Sequence, residues 1–398
     1  MKLLKTGDQN LVKQINKTIV FNTIKDKGPV SRAQISKDTG LNKATVSTMV
    51  SELLKESFVN EIGSGQSSGG RKPVMLYFNQ HAGYSIGIDL GVNYILGILT
   101  NFNGDIIEKN MKTLNTLEID EIINQIFLSI ESLMKKAPES PYGIIGIGIG
   151  VPGQVDQHER ILFAPNLNWK NIDLKKIVED RFSIPTSIEN EANAGATGEQ
   201  LYGAGKDITN QIYVSIGIGI GTGIIINNRL YRGSSGISGE MGHFTIDTNG
   251  IKCSCGNRGC WELYASESAL FKIAEKQDLA SKNVEIDLDF LLTEAQKGNP
   301  KVLQLLNTLG ENIGFGIINI INTFNPEVII IGNRMAQFEN WIMNPIKRVL
   351  EERLSFYHKS NTAIRFSILG NYSTALGANS FAITNFLSNM KITETGLV

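Results

Sequence analysis

All three cysteines of this 398-residue chain fall within one short stretch, CSCGNRGC, as Cys253, Cys255 and Cys260. His243, in SGEMGH just upstream, completes a set of one nitrogen and three sulfur donors. Zinc takes that combination tetrahedrally, and four protein ligands leave no coordination position for water, so the chemistry expected is a structural Zn2+ site. Glycines at 256 and 259 let the backbone wrap an ion. The alternative, a cluster of reduced thiols, would place every cysteine in a polar glycine-rich loop, whereas free cysteines usually pack in cores. Cysteine catalysis is disfavoured, because a nucleophile needs one activated thiolate rather than three converging ones. An imidazole that gives one nitrogen to zinc can offer the other, as N–H, to a ligand hydroxyl. Glu240 and Glu262 stand beside it in sequence as acceptors for hydroxyl groups.

The elements that must position these residues are those of an α/β body with two similar halves. YSIGIDLGVNYILGILTNFNGDIIEK reads as strand, glycine turn, strand, then Asn103-Gly104, a tight hairpin dipeptide. IYVSIGIGIGTGIIINNRLYRG repeats the plan, with Asn227-Asn228 at the turn. Between them Ile119, Ile122, Ile123, Ile126, Ile130, Leu133 and Met134 form one helical stripe, and YGIIGIGIGVPG is a buried strand. VLQLLNTLGENIGFGIINIINTF and EVIIIG give the second half the same alternation. A small ligand would sit in the cleft between two such lobes.

Residues 1–80 have a different character. They carry 12 Lys+Arg against 6 Asp+Glu, a balance of +6, which leaves −7 for the remainder of a chain whose net charge is −1. A basic head on an acidic body suggests a polyanion partner. Ser31 caps a short helix carrying Ala33 and Ile35, Gly40 ends it, and Asn42 caps a second helix with Val46, Met49, Val50, Leu53 and Leu54 inward. This is a helix-turn-helix pattern, in contrast to a helical hairpin with a merely solvated face. Its DNA-facing candidates are Ser31, Asn42, Lys43, Thr45, Ser47 and Thr48. EIGSGQSSGGRKPVMLYF reads as two strands around a basic tip with Arg71 and Lys72, a wing for the sugar-phosphate backbone. Upstream, Val12, Ile15, Ile19 and Ile24 recur at helical spacing and supply the third helix.

The apolar runs stop short of the ~20 residues a membrane-spanning helix needs. The Lys-rich opening MKLLKTGDQNLVKQ lacks a secretory apolar core. A cytoplasmic protein with no membrane partner is expected, and an odd number of cysteines argues against a disulfide scaffold.

With GEMGH, CSCGNRGCWE and IENEANAGA on the page, the chain resembles the ROK family of repressors, open reading frames and sugar kinases over essentially its whole length. The resemblance implies a winged helix-turn-helix domain over 1–80 and a duplicated actin-like, ribonuclease-H-like body. That body would have one lobe over 81–197 and a second over 198–398, with the C-terminal helix returning to the first lobe. It assigns sugar contacts to Asn166, Asn190, Glu191, Glu240, His243 and Glu262, and zinc to His243, Cys253, Cys255 and Cys260. More narrowly, APNLNW, IENEANAGATGE and CGNRGCWELYAS resemble the xylose repressor branch. The expected partners are therefore operator double-stranded DNA and a small sugar effector, D-xylose, and the expected assembly is a homodimer.

Kinases of the family place Asp where this chain has Glu191. An extra methylene shifts a carboxylate by roughly 1 Å, enough to cost a catalytic base ~10²-fold. Val92 and Asn93 in the first glycine turn, Ile218 in the second and Asn333 after IIIG also depart from a phosphate-binding pattern. The expectation is a repressor that is not an enzyme. The alternatives are a sugar kinase with an appended DNA-binding head, and a repressor responding to glucose or an N-acetylated amino sugar.

Overall fold

In the computed structural model, which describes residues 9–64, 73–276, 279, 286–355, 357 and 361–392, the chain opens with helix α1 (Gln9–Lys27) and a short strand β1 (Val30–Ser31). Helices α2 (Arg32–Thr39) and α3 (Lys43–Lys55) follow. Local chemistry sets their ends. Ser31 Oγ accepts from Gln34 N at 3.2 Å, Gly40 closes α2 at φ +72°, and Asn42 Oδ1 accepts from Thr45 N at 2.8 Å. Of the inward positions expected on α2 and α3, Ile35, Val46, Met49, Val50 and Leu53 are buried, Leu54 is half-buried and Ala33 faces out.

Helix α1 departs from the expected stripe. Val12, Ile15 and Ile19 are exposed, while Val20, Phe21 and Ile24 are buried. The helix carries two apolar faces, and the one bearing Phe21 wins because its ring meets Phe58 and Phe78 edge-on at 6.1 and 5.4 Å. Strands β2 (Val59–Ser64) and β3 (Val74–Phe78) pair antiparallel and β1 adds to β3, making a three-stranded wing sheet. The expected wing tip with Arg71 and Lys72 lies outside the described residues.

The first lobe begins with the antiparallel meander β4 (Tyr84–Leu90), β5 (Tyr94–Asn101) and β6 (Ile106–Thr113). Helix α4 (Ile119–Met134) leads to β7 (Ile144–Val151), parallel to β4. A small sheet of β8 (Gln154–Val155), β9 (Ile161–Ala164) and β10 (Trp169–Ile172) precedes α5 (Leu174–Phe182), β11 (Thr186–Asn190), parallel to β7, and α6 (Glu191–Tyr202).

The second lobe repeats the plan. Strands β12 (Gln211–Ile216), β13 (Ile220–Ile226) and β14 (Arg229–Leu230) form its meander. Helices α7 (Glu262–Ala265), α8 (Glu267–Lys276), α9 (Leu288–Gln296) and α10 (Pro300–Phe324) precede β15 (Val328–Gly332), then α11 (Glu339–Arg353) and β16 (Ala363–Phe366). The sheet orders β11-β7-β4-β5-β6 and β14-β13-β12-β15-β16 are the same topology, three antiparallel strands extended by two parallel ones. The body is therefore a duplicated two-lobed α/β fold. Asn227 and Asn228 take φ +53° and +61°, as a tight hairpin turn requires, whereas in the first lobe Gly104 carries the positive φ of +83°.

Helix α12 (Ser373–Asn389) leaves the second lobe and packs on β4, β7 and α6 of the first. Glycines permit the approach. A Cβ on Gly148 would lie 1.8 Å from Ala378 O, and one on Gly377 would lie 1.7 Å from Ala194 O. Each lobe has its own apolar core, and a third core joins the head to the body through Phe21, Phe58, Phe102, Ile383 and Leu387. Among the described residues no helix is long and apolar enough to cross a membrane.

Candidate functional site

His243 ends a short 3-10 turn, Met241–His243, after β14, and the three cysteines follow in a loop pinned by isolated bridges Thr245–Cys260 and Lys252–Arg258. Gly256 and Gly259 take φ +95° and +66°, so the chain doubles back there. One donor atom from each of His243, Cys253, Cys255 and Cys260 lies within 4.8 Å of all the others. Cys255 Sγ to Cys260 Sγ is 3.7 Å, and Cys253 Sγ to His243 Nδ1 is 3.7 Å. A tetrahedron with Zn–S bonds of about 2.3 Å has S···S edges of roughly 3.8 Å, so the donor set is already close to the size of that ion's shell. As a thiol, Cys260 is pushed up to about 12 by burial and by its sulfur neighbours. Ionising all three sulfurs therefore needs a cation among them.

The loop is anchored from behind. Trp261 is fully buried, its indole N–H donates to Asn312 O at 2.8 Å, and its ring lies against Gly316 of α10, where a Cβ would be 1.9 Å away. This brings Glu262, the first residue of α7, to 3.4 Å from His243 Nδ1, while Glu240 lies 3.8 Å from Nε2. Burial raises the Glu240 carboxyl above its usual range, and the Gln154 side chain of the first lobe opposes that rise.

In the first lobe, Asn190 caps α6: its Oδ1 accepts from Ala192 N and Asn193 N, and its Nδ2 donates to Gly153 O at 2.7 Å. That amide is largely committed to holding the helix start, leaving one N–H for a ligand. Glu191 follows as the first helical residue. Burial raises it to about 7, even though a helix N-terminus favours a carboxylate. Asn166 is exposed in the 3-10 turn Pro165–Leu167. The residues expected to hold sugar thus come from both lobes: Asn166, Asn190 and Glu191 from the first, Glu240, His243 and Glu262 from the second.

The glycine turns compared above with a phosphate-binding pattern carry contacts from the chain itself. Tyr94, not singled out by sequence, lays its ring over Gly91, where a Cβ would be 2.3 Å from the ring. In the second turn Gly217 O accepts from Glu267 N and Ile218 O from the Ser268 hydroxyl. Asn333 takes φ +63° and donates to Ser215 Oγ. The adjoining cavity of about 570 Å³ is lined by Asn93, Glu267, Glu275, Asp287 and Arg334, and the arginine is tied to Glu267 at 2.7 Å. Three carboxylates around one paired cation do not favour a polyphosphate.

On the head, Lys43, Ser47 and Thr48 are exposed on α3 and Thr45 is half-buried in its first turn. Ser31 and Asn42 spend their oxygens on the two helix caps. The polar face of α3 is thus presented outward beside the wing sheet.

A family profile described as the ROK family matches residues 85–385. A Bacillus spizizenii protein named xylose repressor is 48% identical over 387 residues, covering 97% of this chain and 99% of that protein. Among solved structures, a ROK family transcriptional regulator described as a homologue of the Escherichia coli MLC protein superposes with a TM-score of 0.80 at 27% identity, covering 96% of this chain and 99% of that one. A ROK family glucokinase from Streptomyces griseus, solved with glucose and AMPPNP, gives a TM-score of 0.70 at 28% identity, covering 76% and 99%.

Proposed function

Since the chain belongs to the ROK family, we propose that it is a transcriptional repressor of xylose-utilisation genes, released from operator DNA by D-xylose, and not an enzyme. Residues 1–80 are the DNA-binding unit, and 81–197 and 198–398 are the two sugar-binding lobes, except that the division falls inside α6, whose end at Tyr202 moves the boundary past that helix. The protein acts in the cytoplasm as a homodimer, because paired heads read half-sites spaced by whole helical turns. The name of the Bacillus relative supports the sugar, and Glu191 with Tyr94 over Gly91 supports the absence of phosphoryl transfer.

The observation that carries this function is the path of α12. At its start Thr374 Oγ1 donates to Glu191 O at 3.2 Å, and near its end Phe386 packs on Tyr142 and Phe58 at the base of the head. Sugar hydroxyls donating to Glu191, Glu240 and Glu262 draw the lobes together, with zinc-held His243 offering its second nitrogen. Zn2+ supplies fixed geometry here and no reaction step. The lobe angle then reaches the head through a rigid helix instead of a linker, so the ligand shifts a population between DNA-competent and DNA-incompetent arrangements. Moving occupancy from nearly full to nearly empty requires a preference of about 5 kcal/mol for one state.

A band-shift titration with DNA upstream of neighbouring sugar genes tests the proposal. The shifted band is expected to vanish with D-xylose and to persist with glucose or N-acetylglucosamine. Release by one of those sugars instead would redirect the assignment, and sugar-dependent ADP formation would replace it with a kinase. At the head, Lys43→Ala is expected to weaken operator binding across sequences and to lower the slope of log affinity against log salt by about 1. Fluorescence-anisotropy titrations at several salt concentrations measure that slope, and an unchanged value removes Lys43 from the phosphate contacts.

A further inference from the structure

Where β4 ends, a carboxyl and a phenol pair beside the strand position that approaches Glu191, which carries a second carboxyl. Asp89 is 3% exposed; Tyr94 donates to its Oδ2 at 2.8 Å, and its Oδ1 is buried without a hydrogen-bond partner. The arrangement is locked. Tyr94 is wedged over Gly91, and Asp89 lies in the β4–β7 ladder opposite Gly150, a position whose Cβ would meet Thr374 of α12 and approach Glu191 Cα. A carboxylate oxygen left buried and unpaired loses its hydration without replacement, so the charged form is a poor resident of this place. The neutral acid fits it, since it removes the charge from the orphaned oxygen and keeps Oδ2 as an acceptor for Tyr94.

We propose, resting on the sugar-sensor reading above, that Asp89 is a positioning residue of the sugar site: buried as a neutral acid, it leaves Glu191 as the one member of this pair that meets sugar hydroxyls as a carboxylate. Two carboxylates at close quarters under low dielectric do not both ionise freely. The groups that act on Asp89 are Glu191 from α6 and Tyr94 from β5; Arg334, after β15, acts on Tyr94, and Tyr213 of β12 feels both carboxylates. The start of α12 contributes the uncharged Thr374. Burial first, then the charge of Glu191, raises Asp89 to about 8, and the bond from Tyr94 opposes that rise. Glu191 is raised to about 7 by burial.

The sign follows. Below about 7, Glu191 gains a proton and loses its strength as an acceptor. Above about 8, Asp89 loses its proton and adds a second negative charge that acts on Glu191. Calorimetric titration of the full-length protein with D-xylose is therefore expected to give a bell-shaped affinity, falling by up to about tenfold per pH unit on the alkaline side. Asp89→Asn reproduces the shape and neutrality of the protonated acid. It is expected to keep the acid limb and to lose the alkaline one. Tyr94→Phe removes a bond that favours the charged form and is expected to move the alkaline limb upward. Retention of operator binding shows that each variant is folded. An alkaline fall in Asp89→Asn identical to the parent's overturns the proposal, as does a Tyr94→Phe profile that does not move. If the parent binds no xylose at any pH, the sugar-sensor reading itself fails instead.

Discussion

Cys253→Ser is expected to empty the metal site and to weaken xylose binding by about a hundredfold or more, while operator affinity in the absence of sugar stays close to the parent's. The sulfur is buried, 3.7 Å from His243 Nδ1 and 3.4 Å from Glu262 Oε1, so this member of the donor set touches two of the proposed sugar contacts. A hydroxyl is a poor zinc ligand. With the shell broken, the loop between Phe244 and Trp261 keeps its backbone bonds, the Trp261 anchor and surface hydrogen bonds such as Asn257 to Thr245 Oγ1, none of which holds the sulfurs or the imidazole together. His243 then loses the bond that fixes its ring and its tautomer, and changes in groups that merely support a metal shell already cost 10–100-fold in affinity or activity. The core that holds the head and joins it to the body includes no residue of this loop, so the head's fold is expected to survive. Metal content by emission spectroscopy and xylose affinity by calorimetry are the readouts. A variant that retains stoichiometric zinc, or binds xylose within about threefold of the parent, would sink the claim that the ion braces the sugar site.

The features legible in sequence were those with local causes. Ser31, Gly40 and Asn42 mark the helix ends because capping is decided within a few residues, and Asn227-Asn228 marks a hairpin because only certain residues accept positive φ. The His243 and cysteine cluster was legible because those side chains together have few other uses, and the duplicated lobes because each repeats the same run of strands and turns. What escaped depends on contacts distant in sequence. Periodicity did not reveal which apolar face of α1 is covered, because that depends on Phe58 and Phe78 in the wing. The wedge of Tyr94 over Gly91 escaped because the turn reads as a glycine turn whatever packs on it. The double engagement of α12 escaped because neither Thr374 nor Phe386 is unusual until α6 and the head are placed beside it.

If α12 carries the signal, truncating its aromatic seat should separate sensing from DNA release. Phe58 is fully buried where the head meets the body, stacked on Tyr142 at 5.2 Å and within 6.4 Å of the rings of Phe21, Phe102 and Phe386. Replacing such a ring by alanine removes about 3–5 kcal/mol of packing, comparable to the whole bias needed to switch occupancy. Phe58→Ala is accordingly expected to leave xylose affinity unchanged, since no sugar contact is touched, while operator affinity becomes nearly the same with and without xylose. A milder partner calibrates the result. Tyr142 donates to Glu56 O at 2.7 Å, so Tyr142→Phe removes one hydrogen bond, worth about 1 kcal/mol, and keeps the ring. It should reduce the xylose-induced change in operator affinity by roughly fivefold without abolishing it. Parallel operator and xylose titrations on the parent and both variants give the coupling directly. Full xylose response in Phe58→Ala, in a protein that still binds its operator, would mean that the signal reaches the head by a route other than this helix.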